Sequence, residues 1–149
     1  MSLLTLLLAL AVVYIAIAKN NAIPDSVSEI AYIIPKWAFT LWLAVICILL
    51  LPDMVSTLPD SQTFIGFLCV AGLLCVAASP YYKTEEKTLH YAGGWLCAVS
   101  ATVATALTCW PVLLAWLTYP LTLWLFRCRY HTFWAELYVF LSLVIAINL

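Results

Sequence analysis

Six long apolar runs dominate the sequence, and short polar segments separate them. The runs cover residues 2–18, 37–51, 64–78, 89–108, 111–126 and 133–149. Each has about 15 to 20 residues, close to the roughly 20 that an α-helix needs to cross a hydrocarbon core of about 30 Å. The pattern predicts an all-α protein, a polytopic transmembrane bundle of about six short helices that forms a single domain over residues 1–149.

The scarcity of charged residues predicts a surface that faces lipid. Hydrophobic residues make up 66% of the chain and charged residues 9%, whereas a soluble domain carries roughly 25% charged residues. Such a chain lacks the side chains that would cover a surface in contact with water. The net charge is −1 at pH 7, and no basic run is dense enough for a phosphate backbone, so nucleic acid is not expected as a partner.

Prolines are expected to mark where several of these helices end or bend. Proline cannot continue a helix, so Pro52 is predicted to stop the second helix and Pro80 the third. Pro111 suits the first turn of a new helix, which predicts a tight hairpin between the fourth and fifth helices at Cys109-Trp110-Pro111. Pro120 lies inside the fifth run and is predicted to kink that helix.

The basic residues predict the orientation of the bundle. They bracket alternate loops, the first, third and fifth: Lys19, Lys36, Lys83, Lys87, Arg127 and Arg129. Cytoplasmic loops collect Lys and Arg. These three loops are therefore predicted to face the cytoplasm, with the N-terminus and the C-terminus both outside it.

The small residues of the fourth run and the six cysteines point to packing. Gly94 and Ala98 are four residues apart, as are Ala101 and Thr105, and this spacing lets helices approach closely in lipid. It also allows a homo-oligomer to form through helix four. No two cysteines have CxxC spacing, so we interpret them as packing residues, with disulfides or thiolate metal sites as alternatives.

Most of the unusual polar residues lie on the predicted cytoplasmic side. The segment Ser26-Val27-Ser28-Glu29 fits a capping box, and the apolar residues up to Ile34 predict a short interfacial helix that ends at Pro35. Glu29 is explained by this cap. The alternative is that Glu29 serves as a carboxylate ligand or catalytic base at the mouth of the bundle.

Glu136 is the second candidate catalytic carboxylate. It lies about one turn inside the sixth predicted helix. An ionisable group inside a span costs roughly 2.5–3.5 kcal/mol and usually faces the bundle interior, which makes it a candidate functional residue. A structural ion pair with Arg127, Arg129 or His131 is an equal alternative.

His90 and His131 are candidate metal ligands. The structural alternatives are a solvated pair of Glu86 with His90, four residues apart on one helix face, and an interfacial role for His131. If the two histidines meet, Glu29 or Glu136 would complete the composition of an open zinc site with three protein ligands and water. No HExxH motif or close His-x-His spacing supports this hypothesis.

One segment resembles a group of small membrane proteins from bacteria and phages. The resemblance rests on Ile23-Pro24-Asp25-Ser26-Val27-Ser28-Glu29, on Tyr32 and the second run, and on His90-Tyr91. That group has a similar Ile-Pro-x-Ser-x-Ser segment before helix two, and no activity is attached to it. The corresponding expectation is a location in the bacterial inner (plasma) membrane. A looser comparison is with the membrane hydrolases that include the alkaline ceramidases. Those enzymes use three histidines around zinc, whereas this chain has two, so no catalytic roles are inferred from them.

Three functions remain open at this point. The first is a bundle that binds a membrane lipid, a peptide or another partner. The second is a membrane-embedded, zinc-dependent hydrolase that acts on a lipid through the histidines and carboxylates named above. The third is a transporter or channel with Glu136 as its titrating group. Few other residues could line its path, chiefly Thr102, Thr105, Thr108 and Thr118.

Overall fold

The computed structural model describes residues 2–82, 86–127 and 129–149, and this part of the chain is 87% helix without strands. Besides one helix of four residues, the described residues form six helices, which confirms the predicted all-α class and helix number. The helices are α1 Ser2–Asn20, α2 Ile30–Ile33, α3 Lys36–Thr57, α4 Phe64–Ala78, α5 Glu86–Cys109, α6 Tyr119–Leu125 and α7 His131–Ala146. Four 3-10 segments connect them: Val27–Glu29, Asp60–Gln62, Ser79–Tyr81 and Trp110–Thr118. Lys83 and Cys128 lie outside the described residues.

Helix α3 does not end at Pro52, so this prediction was wrong. The helix continues through the proline to Thr57, because packing of the turns beyond it offsets the lost backbone hydrogen bond and the clash of the proline ring. Met54 and Leu58, beyond the proline, are both buried. The hydroxyl of Thr57 also donates to the Asp53 carbonyl oxygen at 2.6 Å.

The predicted break between the fourth and fifth helices lies at Cys109, where φ is −151° and ψ is 77°. Beyond it the chain returns beside α7, with Trp116 Nε1 donating to Ser142 Oγ at 3.2 Å. The first nine residues after Cys109, Trp110–Thr118, form a 3-10 helix that we call the 3-10 leg. The prediction of a continuous α-helix kinked at Pro120 was therefore wrong. Pro120 lies in the first turn of α6, where its missing N–H is tolerated.

The first, third and fifth loops gather at one end of the bundle. Lys36 Nζ donates to the Pro80 carbonyl oxygen at 2.8 Å, and the backbone N–H of Phe133 donates to the Asp25 carbonyl oxygen at 3.0 Å. We call this end the basic end. At the opposite end, Leu6 near the N-terminus and Leu149 at the C-terminus line a common pocket. The two termini therefore lie on the same side of the bundle.

Helices α4 and α5 pack most closely of all. A Cβ added to Gly72 would lie 2.5 Å from the Cys97 backbone nitrogen, and one added to Gly93 would lie 2.6 Å from Cys75 Cβ. Ala101 and Thr105 are buried as predicted. Gly94, however, has open space at its Cβ position, so Gly93 rather than Gly94 provides the close approach.

Three helical stretches are long and apolar enough to cross a membrane, judged by length and composition. They are Lys36–Thr57, Asp60–Tyr81 and the stretch Lys87–Leu125, which contains the reversal at Cys109. Leu4–Asn20 and His131–Ala146 are shorter apolar helices. Many large apolar side chains point outward along the bundle, including Leu7, Ile48, Phe67, Val99 and Leu121. This outer surface is suited to contact with lipid.

Candidate functional site

The capping turn before α2 forms as predicted, with a small shift. Ser26 is in an extended conformation, and its Oγ accepts a hydrogen bond from the Glu29 backbone N–H at 3.1 Å. Glu29 reaches back to the Asp25 backbone N–H at 2.6 Å, one residue earlier than in a standard capping box. The Glu29 carboxylate is therefore used within the turn, where it fixes the path of the chain.

Glu136 supports the same turn from α7. Its Oε2 accepts a hydrogen bond from the Val27 backbone N–H at 2.6 Å. The first N–H groups of a helix have no partner within the helix, and the helix dipole favours an anion there. The Val27 backbone amide is the hydrogen-bond partner of Glu136, in place of the basic side chains considered from the sequence.

A chain of hydrogen-bonded side chains crosses the basic end, and we call it the serine–histidine chain. Ser26 Oγ lies 2.9 Å from Ser28 Oγ, and Ser28 Oγ lies 2.9 Å from His90 Nε2. The other ring nitrogen, His90 Nδ1, lies 3.2 Å from Ser79 Oγ. The chain joins the turn before α2, the end of α4 and the first turns of α5. Its four side chains are Ser26, Ser28, His90 and Ser79.

Burial differs along the serine–histidine chain. Ser79 is only 2% exposed, and its hydroxyl lies 2.9 Å from the Val76 carbonyl oxygen one turn earlier in α4. Ser26, Ser28 and His90 are half-buried. The middle of the chain is therefore partly exposed, while the Ser79 end is anchored inside the bundle.

The two histidines have different environments. His131 is exposed at the start of α7, and its backbone carbonyl oxygen accepts a hydrogen bond from the Tyr119 hydroxyl at 2.9 Å. Its side chain is not part of the serine–histidine chain. Within residues 2–82, 86–127 and 129–149, no three His, Cys, Asp or Glu side chains converge as metal ligands. Zinc binding by His90 and His131 stays a prediction.

Aromatic and basic side chains surround the site. Tyr32 and Trp37 are 68% and 67% exposed, and Tyr81 and Tyr82 are also exposed beside the end of α4. Tyrosine and tryptophan favour the headgroup level of a bilayer. Lys36 lies at the start of α3 within this surface, where its amine contacts the Pro80 carbonyl oxygen.

The threonines that we considered for a transport path use their hydroxyls for hydrogen bonds within the bundle. The hydroxyls of Thr102, Thr105 and Thr108 donate to carbonyl oxygens four residues earlier, at 2.8 to 2.9 Å. Thr118 contacts the Tyr138 hydroxyl at 2.7 Å. These contacts give the transporter hypothesis no support.

The cysteines of the described residues are all free thiols: Cys47, Cys69, Cys75, Cys97 and Cys109. Cys69 and Cys97 approach each other to 3.8 Å between their sulfur atoms, across the α4–α5 contact. This contact agrees with our interpretation of the cysteines as packing residues.

The sequence did not identify Ser28 and Ser79 as partners of His90. Ser26 and Ser28 were assigned to a cap, and Ser79 was read as the end of a helix. Residues 28, 79 and 90 come from three separate segments, so no spacing in the sequence connects them. The only available signal was that the loops carrying them share a predicted side of the membrane.

No family model, curated protein or solved structure matches the chain.

Proposed function

We propose that this chain is an integral membrane protein that binds a phospholipid headgroup at its basic end. The serine–histidine chain carries this proposal. It brings three hydroxyls and an imidazole together from separate segments, and Ser26, Ser28 and His90 are half-buried there. Helix caps alone would explain Ser26, but they do not require His90 to contact Ser28 and Ser79 together.

The surroundings of the serine–histidine chain favour a phospholipid over a soluble solute. The apolar outer surface and the exposed aromatic residues at the basic end suit a bilayer and its headgroup layer. Lys36 and Lys87 are exposed at this end and would attract a phosphate. A lipid in the outer shell of the bundle would reach the site with its headgroup while its acyl chains stay among lipids.

The proposal includes insertion as six spans in the bacterial inner (plasma) membrane, with both termini outside the cytoplasm. Three long apolar stretches, two shorter apolar helices and the outward-facing apolar side chains support insertion. The gathering of three basic loops at one end supports the orientation, because cytoplasmic loops collect Lys and Arg.

Lipid binding can be tested on the full chain purified in mild detergent. Mass spectrometry of the extracted protein should detect co-purified phospholipid. Phospholipid titrated into delipidated protein should raise the unfolding temperature, since a ligand at 100 times its Kd adds about 2.7 kcal/mol to the stability of the folded state. The double variant Ser28→Ala, His90→Ala should lose most of this ligand-induced shift.

Two controls make the result specific to the site. Ser61→Ala and His131→Ala remove the same residue types at exposed positions outside the serine–histidine chain, and both should keep the full shift. A shift that is equal in the double variant and in these controls would refute binding at this site. Protein or peptide that co-purifies in place of lipid would favour the partner-binding alternative.

A further inference from the structure

We propose that Ser28 is a nucleophile and His90 its general base, and that together they cleave an ester bond of the lipid held at the basic end. The inference rests on the proposed function, since it assumes that a lipid reaches the site. It adds an activity that needs no metal and differs from the zinc-dependent hydrolysis considered from the sequence.

The contacts of Ser79 favour the tautomer of His90 that carries its proton on Nδ1. The Ser79 hydroxyl has one hydrogen, and its shorter contact, at 2.9 Å, is with the Val76 carbonyl oxygen. A carbonyl oxygen can only accept, so Ser79 Oγ is left to accept from His90 Nδ1–H at 3.2 Å. His90 Nε2 then carries the lone pair and accepts the hydroxyl proton of Ser28 at 2.9 Å. This arrangement is the one that a base–nucleophile pair requires.

Only one of the three serines in the serine–histidine chain is placed to act as the nucleophile. Ser79 touches His90 but is 2% exposed, so a substrate cannot reach it. Ser26 contacts Ser28 and the Glu29 backbone N–H but has no contact with the imidazole among its hydrogen bonds. Ser28 is half-buried and contacts the accepting nitrogen. Ser79 is accordingly a positioning residue that orients the imidazole.

The surrounding contacts hold Ser28 in place for such a reaction. The backbone N–H of Val27, the residue next to Ser28, donates to the Glu136 carboxylate at 2.6 Å. A nucleophile and base held at 2.6–3.2 Å, with the base oriented by a third group, form the arrangement expected for covalent catalysis. Glu136 thus fixes the main chain that carries the nucleophile.

The reaction proceeds in two balanced steps. Ser28 Oγ attacks the ester carbonyl carbon while its proton moves to His90 Nε2, and the bond to the alkoxy oxygen breaks as that oxygen takes the proton. The alcohol leaves, and the acyl group stays on Ser28. Water then attacks the acyl carbon and gives a proton to His90. The bond between this carbon and Ser28 Oγ breaks as His90 returns the proton to Ser28 Oγ. The net products are a carboxylic acid and an alcohol.

The position of the site selects the substrate class. The acyl esters of a glycerophospholipid lie between the headgroup and the chains, at the level where the exposed Tyr32 and Trp37 are expected to reside. A headgroup bound at the basic end would bring an ester carbonyl near Ser28. The inferred substrate is therefore an acyl ester of a membrane glycerolipid.

The test uses a long-chain alkyl fluorophosphonate on the full chain in detergent. In this probe, Ser28 Oγ would form a bond to phosphorus as the P–F bond breaks, fluoride leaves and the proton passes to His90. Peptide mass spectrometry should place the adduct on Ser28. Ser28→Ala should abolish it, and Ser61→Ala should leave the labelling rate unchanged.

Removal of the base tests its chemical role. His90→Ala should slow labelling by about 100-fold or more, the usual contribution of a general base. Added imidazole should restore part of the rate, a response that a merely structural role of His90 would not give. If His90→Ala does not fold, Ser79→Ala replaces it, and this variant should slow labelling while keeping the adduct on Ser28.

The outcomes separate the two proposals. No adduct on the wild-type chain, or an adduct that persists in Ser28→Ala, would overturn the nucleophile assignment. If phospholipid still raised the unfolding temperature, lipid binding would stand without this chemistry. An adduct on Ser28 without any phospholipid-induced shift would support the nucleophile and reject phospholipid as the ligand.

Discussion

Glu136 connects residues far apart in the sequence, because its carboxylate caps a turn that precedes α2. Glu136→Ala would leave the N–H group of Val27 without this acceptor. We expect unfolding in detergent to become easier by about 1–3 kcal/mol, the cost of leaving a buried donor unsatisfied, near the lower end because the contact is half-buried. Thermal unfolding followed by circular dichroism measures the change.

The comparison with Glu136→Gln separates hydrogen bonding from charge. The amide oxygen of glutamine can still accept from the turn, so this variant should lose less stability than the alanine variant. Asp60→Ala removes an exposed acid at the opposite end and should have little effect. If Glu136→Ala matched Asp60→Ala in stability, the capping role of Glu136 would be refuted.

Sequence reasoning found some residues of the basic end and missed how they are connected. The capping box was local, so Ser26 and Glu29 could be placed from spacing alone. Glu136 was identified because charge inside an apolar run is costly, but its partner is a backbone amide, which every residue has. His90 was noticed as a histidine, while its contacts with Ser28 and Ser79 depend on how loops one and three meet.

The contact between α4 and α5 offers a matched pair of adjacent glycines. A Cβ at Gly93 would lie 2.7 Å from the Gly72 carbonyl oxygen, whereas a Cβ at Gly94 would meet nothing within 4 Å. Gly93→Ala should therefore destabilise the bundle by about 1–3 kcal/mol through overpacking. Gly94→Ala should be neutral or stabilise it by about 0.4–1 kcal/mol, because alanine restricts the unfolded chain.

Thermal unfolding of both variants under identical detergent conditions distinguishes these effects. A larger loss of stability for Gly94→Ala than for Gly93→Ala would contradict the orientation of α5 that places Gly93 against α4. Because adjacent residues differ by about 100° around an α-helix, the pair reports which face of α5 meets α4. The sequence pattern alone had favoured Gly94.

The 3-10 leg and α6 are held to α7 by a tyrosine. The Tyr138 hydroxyl lies 2.7 Å from Thr118 Oγ1 and 2.9 Å from Thr122 Oγ1, and its ring contacts Trp116 and Tyr119. Tyr138→Phe keeps the ring and removes the hydroxyl. The expected loss of stability is about 0.5–1.5 kcal/mol, the net value of a typical hydrogen bond.

Tyr14→Phe is the matched control, because Tyr14 lies on the outer face of α1 and is 72% exposed. The Tyr14→Phe variant should unfold at the same temperature as the wild type, whereas the Tyr138→Phe variant should unfold at a lower temperature. Equal unfolding temperatures for both variants and the wild type would show that the hydroxyl contacts do not hold this leg.

Helix bounds were predictable where the apolar run itself set them. Helix α4 begins at Phe64 and ends at Ala78, as the apolar run predicted. The errors came from prolines, since Pro52 lies within α3 and Pro120 within the first turn of α6. Whether a proline ends a helix depends on the packing of the residues beyond it, such as Met54, and that packing is not encoded locally.

At the scale of the whole molecule, the hydrogen bonds between loops and the positions of the basic residues distinguish the same two ends of the bundle. Loops one, three and five meet through contacts of Lys36 and Asp25, while the two termini meet at the other end. The positive-inside rule uses only the distribution of Lys and Arg, so it is independent of these contacts. Together they predict that the basic end faces the cytoplasm.

Reporter fusions in a bacterial inner membrane test this orientation. Alkaline phosphatase, which is active only outside the cytoplasm, should be active when fused after Leu58 or Leu149. Green fluorescent protein should fluoresce when fused after Tyr82, in loop three, and stay dark after Leu149. The opposite pattern at all positions would reverse the orientation and place the serine–histidine chain outside the cytoplasm. If the fusions after Leu58 and after Tyr82 reported the same side of the membrane, α4 would not cross it. The six-span arrangement would then be wrong.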